Sequence, residues 1–170
     1  MQNFLTNLRK EIFPISLILI LVFARLIPHP PNFTPIIAAA ILSSYFFKNI
    51  YLSLMILLIS MLLSDIFIGF HTNMFFVYAP LFLITFLFFN VRMKINSKSL
   101  FIFAFLGSLI FYLVSNFGVW LMSGMYEKNI SGLISCYVLA IPFFTNTILS
   151  TIIFSYPVLF VYKFINKQFA

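Results

Sequence analysis

Long apolar runs separated by short polar or proline-bearing joints follow one another along the whole chain. A helix needs about 20 residues to cross roughly 30 Å of hydrocarbon. By that measure the runs predict spans at residues 12–27, 33–47, 50–70, 74–91, 100–122 and 142–162. The second is short for a crossing. The last apolar stretch, 130–162, is longer than one crossing requires, and Pro142 is expected to interrupt it. Proline removes a donor and crowds the preceding turn. Residues 130–141 are therefore predicted as an interfacial or broken helix before the final span. The joints are short, and neither an internal repeat nor a soluble domain is visible, so residues 1–170 read as one transmembrane domain. The predicted fold class is all-α: a polytopic, six-helix transmembrane bundle.

Composition agrees and narrows the function classes. Hydrophobic residues make up 63% of the chain, aromatics 20% and charged residues 8%. A soluble domain carries about 25% charged residues, so this surface cannot be wetted. A soluble enzyme, a disordered tail and a disulfide-stapled module are excluded. The first apolar run has no small-residue cleavage signal and further spans follow it, which predicts a retained helix.

A net charge of +7 would suggest nucleic acid if the cations were clustered on a soluble surface. Here they lie in the joints, where they orient a membrane protein, and no nucleic-acid partner is expected. Arg9, Lys10, Lys48, Arg92, Lys94, Lys98, Lys163 and Lys167 fall on the side of the termini, while Arg25 and Lys128 fall opposite. Eight against two predicts that both termini are cytoplasmic.

With that orientation the polar residues concentrate toward the outer face. Arg25 and His29 end the first span, and His29, Pro30, Pro31 and Asn32 form a stiff outer connection. Asp65 lies in span three, roughly 7 Å of helix rise below its outer end. His71 occupies the next outer joint, and Tyr78 sits one turn into span four. Tyr112, Asn116 and Trp120 repeat at i, i+4 and i+8 on one face of span five. Tyr126 and Glu127 follow in the outer loop, and Thr145 and Asn146 open the last span. A charge within hydrocarbon is costly unless paired or hydrated. The simplest arrangement that satisfies these groups is an outward-facing polar cavity with aromatic walls.

The candidate ligand-binding residues are accordingly Arg25, His29, Asn32, Asp65, His71, Tyr78, Asn116, Trp120, Tyr126 and Asn146. Most have a plainer reading, which for His29 and His71 is simply a loop residue. Asp65 can pair with Arg25 to stitch two spans together, and Arg25 can snorkel to lipid phosphate. Trp120 and Tyr126 stand where an aromatic belt places them. Asn116 and Asn146 can hydrogen-bond between helices.

No nucleophile with a positioned base is readable, and no glycine-rich phosphate loop occurs, so no catalytic residue is assigned. His29, His71 and Asp65 lack a metal-ligand spacing, the lone Cys136 builds no cysteine cluster, and no metal or cofactor is expected. Span two carries Ala39 with Ser43 and Ala40 with Ser44, small-xxx-small pairs that permit close helix approach. They serve either internal packing or docking of another membrane protein.

Several strings carry a resemblance over nearly the whole chain. They are Arg25 followed by Pro28-His29-Pro30-Pro31-Asn32-Phe33-Thr34-Pro35, Leu62-Leu63-Ser64-Asp65 with Gly69-Phe70-His71, Ser115-Asn116-Phe117-Gly118-Val119-Trp120, and Cys136-Tyr137 with Ala140 to Thr147. They resemble a family of small bacterial integral membrane proteins of unassigned function (DUF6580-like). That family is similar in size and layout to the substrate-binding S components of energy-coupling-factor (ECF) transporters. The resemblance implies an outer ligand pocket in a bacterial cytoplasmic membrane protein. It also implies a transmembrane coupling subunit with two cytoplasmic ATPases as possible partners. The alanine-rich docking stretch of S components belongs in span one, whereas here the small residues lie in span two.

The leading expectation is capture or uptake of a small organic solute or vitamin-like cofactor from the outer side, without enzymatic activity. The alternative is a scaffold protein of an envelope complex with no small-molecule ligand.

Overall fold

The computed structural model describes residues 2–91 and 96–168, with side chains from residue 12 onward, residue 97 excepted, as far as residue 165. Arg92 and Lys94 of the charge count lie outside the described residues, as do the side chains of Arg9, Lys10 and Lys167. Among the described residues the chain forms seven α-helices. They are α1 (Gln2–Phe23), α2 (Ile36–Phe46), α3 (Ile50–Ile68), α4 (Met74–Val91), α5 (Ser97–Met122), α6 (Ile130–Leu139) and α7 (Ile141–Gln168), with a 3-10 turn at Ala24–Leu26 closing α1. Four stretches are long and apolar enough to cross a membrane: Ile50–Ile68, Met74–Val91, Lys98–Met122 and Ile141–Ile165. The protein is an all-α, multi-pass membrane protein.

Helix boundaries follow local chemistry. Asn49 caps α3 by accepting from the Tyr51 N–H, and Asn96 and Ser99 form a reciprocal capping box at the start of α5. Gly69 stops α3 with φ 98°, a conformation that strains any residue bearing a Cβ.

The centre of the bundle is α2. Its 11 residues rise only about 16 Å, too little to cross. Nine of them are buried, and Ala38 to Leu42 have no exposed surface at all. α1, α3, α4, α5 and α7 all pack against it. Two hydroxyls tie neighbours to its backbone: Ser53 Oγ donates to Ser43 O at 3.1 Å and Thr85 Oγ1 to Ala40 O at 3.2 Å. In hydrocarbon such interhelical bonds satisfy polar atoms that no water reaches.

Three expectations are corrected. Span two does not run from 33 to 47, because Pro35 and the residues before it stay non-helical and α2 starts at Ile36. The break in the last apolar stretch falls at Ala140, whose N–H reaches both Cys136 O and Tyr137 O. Pro142 stands in the first turn of α7, where its missing N–H removes no helical bond. Finally, Ala39, Ala40 and Ser43 are fully buried inside this chain, so they provide close packing of α2 and no face for a partner. Ser44 is half-buried, and its hydroxyl donates to Ile41 O in its own helix.

Between the 3-10 turn and α2 the chain is non-helical from Ile27 to Pro35. Residues 27–32 are exposed, while the Phe33 ring meets Phe154 edge-on at 6.1 Å. Phe154 is 13 residues into the 28-residue α7, about 20 Å along it. The Phe33 side chain, just before α2, therefore packs against the middle of α7. Higher up, Asn146 Nδ2 of α7 donates to Pro31 O at 3.0 Å.

α6 runs antiparallel to the last third of α5. Trp120 Nε1 donates to Glu127 O at 2.9 Å, Cys136 Sγ to Asn116 O at 3.4 Å, and Tyr137 Oη to Leu113 O at 2.7 Å. Nearby, α4 and α5 touch at Gly118, where a Cβ would overlap the root of the Phe76 ring. Gly118→Ala is expected to cost about 1–3 kcal/mol through overpacking. Adding Phe76→Ala should recover part of that loss. Thermal denaturation of the single and double variants in detergent checks it; strictly additive losses would show that the contact is not the cause.

Candidate functional site

Among the described residues the one buried charged side chain, Asp65, lies where the end of α1 meets α3 and α4. Arg25, in the 3-10 turn, faces Asp65 of α3 with Nη1 2.9 Å from Oδ1; their side chains are 10% and 2% exposed. Nη1 also donates to Ser64 Oγ at 2.7 Å and approaches Met61 Sδ at 3.4 Å. The Ser64 hydroxyl donates to Met61 O at 2.8 Å, which leaves its lone pairs free to accept from Arg25. On the other side, Tyr78 of α4 donates to Asp65 Oδ2 at 2.5 Å.

The cluster is incompletely satisfied. The hydrogen bonds of Nη1 go to Ser64 and Met61, and its contact with Oδ1 is an ion pair without hydrogen-bond geometry. Asp65 Oδ1 is accordingly a buried oxygen without a hydrogen-bond partner. Among the described residues nothing accepts from Nε or Nη2 of Arg25 either. A buried oxygen without a hydrogen bond, such as Asp65 Oδ1, is rare in folded proteins and calls for a reason.

α3 positions this set by simple periodicity. Met61, Ser64 and Asp65 stand at i, i+3 and i+4 and are all buried. The stripe continues inward through Leu57 and Ser60. Gly69 N–H bonds Asp65 O at 2.8 Å, so the end of α3 holds the Asp65 backbone directly.

The other candidates fall into separate places. The ring nitrogens of His29 lie 3.2 Å from Arg25 O and 2.9 Å from Pro30 O, so His29 braces the turn that carries Arg25. Asn32 is exposed in the left-handed region at φ 59°, which asparagine tolerates. Asn116 Nδ2 bonds Tyr112 O within α5, and Tyr112 Oη donates to Tyr137 O of α6. Trp120 holds Glu127 O while Lys128 lies 5.4 Å over its ring. Asn146 secures Pro31, as described above. His71 is exposed, and Tyr126 is half-buried. Arg25, Asp65 and Tyr78 converge, with His29 beside them; Asn116, Trp120 and Tyr126 belong to the α5–α6 corner. No group of three His, Cys, Asp or Glu side chains suited to a metal occurs among the described residues.

Three residues stand outside the ligand candidates named from the sequence. Ser64 and Met61 complete the contacts of Arg25, and their spacing to Asp65 was the available signal. Asn73, in the joint before α4, buries an Oδ1 that has no hydrogen-bond partner.

Fold and cluster define a multi-pass membrane protein with an ion pair held between helices. The chain belongs to a family of unknown function, DUF6580, whose model matches residues 6–170. No curated protein and no solved structure matches it significantly.

Removing one member of a buried pair strands the other charge, at a cost of about 3–5 kcal/mol. Arg25→Ala and Asp65→Ala are each expected to lose stability on that scale. The double variant Arg25→Met with Asp65→Leu should lie much closer to the parent. Tyr78→Phe, which removes one charge-assisted bond, should cost about 1.5–3 kcal/mol. Unfolding in detergent checks all three. If the double variant loses the sum of the single losses, the pairing is not what matters.

Proposed function

We propose that the protein captures a small polar solute at the Arg25–Asp65–Tyr78 cluster from the outer side of a bacterial cytoplasmic membrane and mediates its uptake without enzymatic chemistry. The supporting observation is the incomplete hydrogen bonding of this charged pair beside the exposed, non-helical segment 27–32. Non-helical backbone at membrane depth is tolerated only where it is buried in protein or lines a water-filled cavity. Residues 27–32 are not buried in protein, so on this reading they line the cavity. On this reading α2 closes the inner half of the bundle and the Pro28–Pro35 segment lines a vestibule above it.

The likeness in layout to ECF S components supports the same direction of capture. A coupling subunit with cytoplasmic ATPases would then supply the energy. Since the small residues of α2 are internal, such a partner would dock on the lipid-facing sides of the other helices.

A scaffold role is the second reading, favoured by one observation. At the α5–α6 corner the polar groups satisfy one another, as in the Tyr112–Tyr137 and Trp120–Glu127 bonds. That corner needs no ligand.

The test is a thermal-shift and native mass-spectrometry screen of the purified protein against vitamins, amino acids, nucleosides and sugars, including whatever co-purifies. A ligand at about 100 times its Kd adds about 2.7 kcal/mol of stability. At least one compound is expected to bind the parent and to lose at least tenfold in affinity with Asp65→Asn. No bound solute and no shift across the panel would favour the scaffold reading.

A further inference from the structure

The unmet hydrogen-bonding demands of the cluster are of opposite kinds, and together they describe a ligand. On Arg25 the Nε and Nη2 edge has three N–H donors and no acceptor among the described residues, while Nη1 is occupied by Ser64, Met61 and the charge of Asp65. That edge is the one that grips two oxygens of a carboxylate or phosphate side by side. On Asp65, Oδ1 is buried with lone pairs that no donor fills, while Oδ2 already holds Tyr78. One end of the site lacks an acceptor and the other lacks a donor.

Charge balance restricts the ligand further. Arg25 and Asp65 cancel one another. A bare anion added beside them would leave one uncompensated negative charge in a low-dielectric surround, and a bare cation one positive charge. A molecule carrying both charges leaves the total at zero.

We infer that the site takes a small zwitterion, one oxyanion and one cationic N–H donor in the same molecule, by exchange of ion pairs. The oxyanion seats on the free edge of Arg25. The ammonium takes the place of Nη1 at Asp65 Oδ1, giving that oxygen the hydrogen bond it lacks. No proton is transferred and no covalent bond changes. Tyr78 keeps Oδ2 in place throughout, and Arg25 reaches the ligand by its remaining open surface, 10% of the side chain. The inference rests on the capture reading for its location and deepens it by naming the ligand class. Two sources offer this chemistry: a free amino acid and the phosphoethanolamine headgroup of a lipid.

The experiment compares glycine and 4-aminobutyrate with acetate, methylammonium and glycine betaine at equal concentration, by thermal shift on the purified protein. A parallel arm compares nanodiscs of phosphatidylethanolamine with nanodiscs of phosphatidylcholine. An N–H-bearing zwitterion is expected to raise Tm by about 5 °C near saturation. The single-charge fragments and betaine, which has no N–H, are expected to give no shift. Arg25→Lys keeps a cation for Asp65 but loses the two-pronged edge, and should lose at least tenfold in affinity. Should that variant misfold, competition does the same work: glycine displaced by excess acetate and methylammonium together, but by neither alone, supports the exchange.

Equal shifts from acetate alone or methylammonium alone would overturn it, as would an undiminished response in a folded Arg25→Lys protein. A shift confined to phosphatidylethanolamine would support the exchange while removing the capture of a free solute. A neutral or singly charged solute bound at the cluster would leave capture standing and overturn the zwitterion.

Discussion

The constraint on which the rest of this structure depends is that backbone cannot stay unpaired in hydrocarbon. α2 is too short to cross, so the chain must come down to it in non-helical form. Residues 27–35 do this with four prolines in nine positions, which removes four N–H donors outright. Of the donors that remain, Ile27 turns back to Ala24 O and Phe33 to Pro30 O. Asn146 then satisfies the Pro31 carbonyl from α7. The proline-rich string is therefore a way of taking irregular backbone into a membrane with few groups left to satisfy.

This descent also sets the position of the ion pair. Because α1 gives way to a 3-10 turn at Ala24–Leu26, Arg25 is held where it meets α3, and His29 braces its carbonyl from above. Asp65 stands one turn before Gly69 ends α3, and Tyr78 one turn into α4. Three chain ends thus converge on one carboxylate. The helices continue on one side of it and the irregular joints lie on the other, so the pair is buried in protein next to the exposed segment 27–32, a position that makes it costly to hold.

Much of the fold was legible because long apolar runs leave few options. The run at 74–91 coincides with α4, and those at 50–70 and 100–122 differ from α3 and α5 by three residues or fewer. Span two was misjudged because apolarity alone cannot separate a crossing helix from a short helix buried within a bundle. The run of Ala38 to Ala40 was ambiguous for a related reason: small residues announce a close neighbour without saying which chain supplies it. The Arg25–Asp65 pairing stood in the sequence as one of two readings, and depth placed Tyr78 near it. Their three-dimensional grouping, and its separation from Asn116 and Trp120, depended on which helices are neighbours. Linear spacing does not carry that information. Ser64, quoted only as part of a string, is not a candidate from sequence because a serine in a membrane helix ordinarily bonds its own backbone, and only the third dimension brings Arg25 to its lone pairs.

The central claim is that the non-helical segment beside the ion pair opens to water on the outer side. It is tested most directly by thiol labelling in intact cells with a membrane-impermeant maleimide. The buried Cys136 is first changed to alanine, and single cysteines are then introduced as His29→Cys, Asn32→Cys and Lys48→Cys. His29→Cys and Asn32→Cys are expected to label from outside, and Lys48→Cys only after the cells are opened. Labelling of Lys48→Cys in intact cells with Asn32→Cys protected, or protection of Asn32→Cys from both sides, would contradict an outward-facing site.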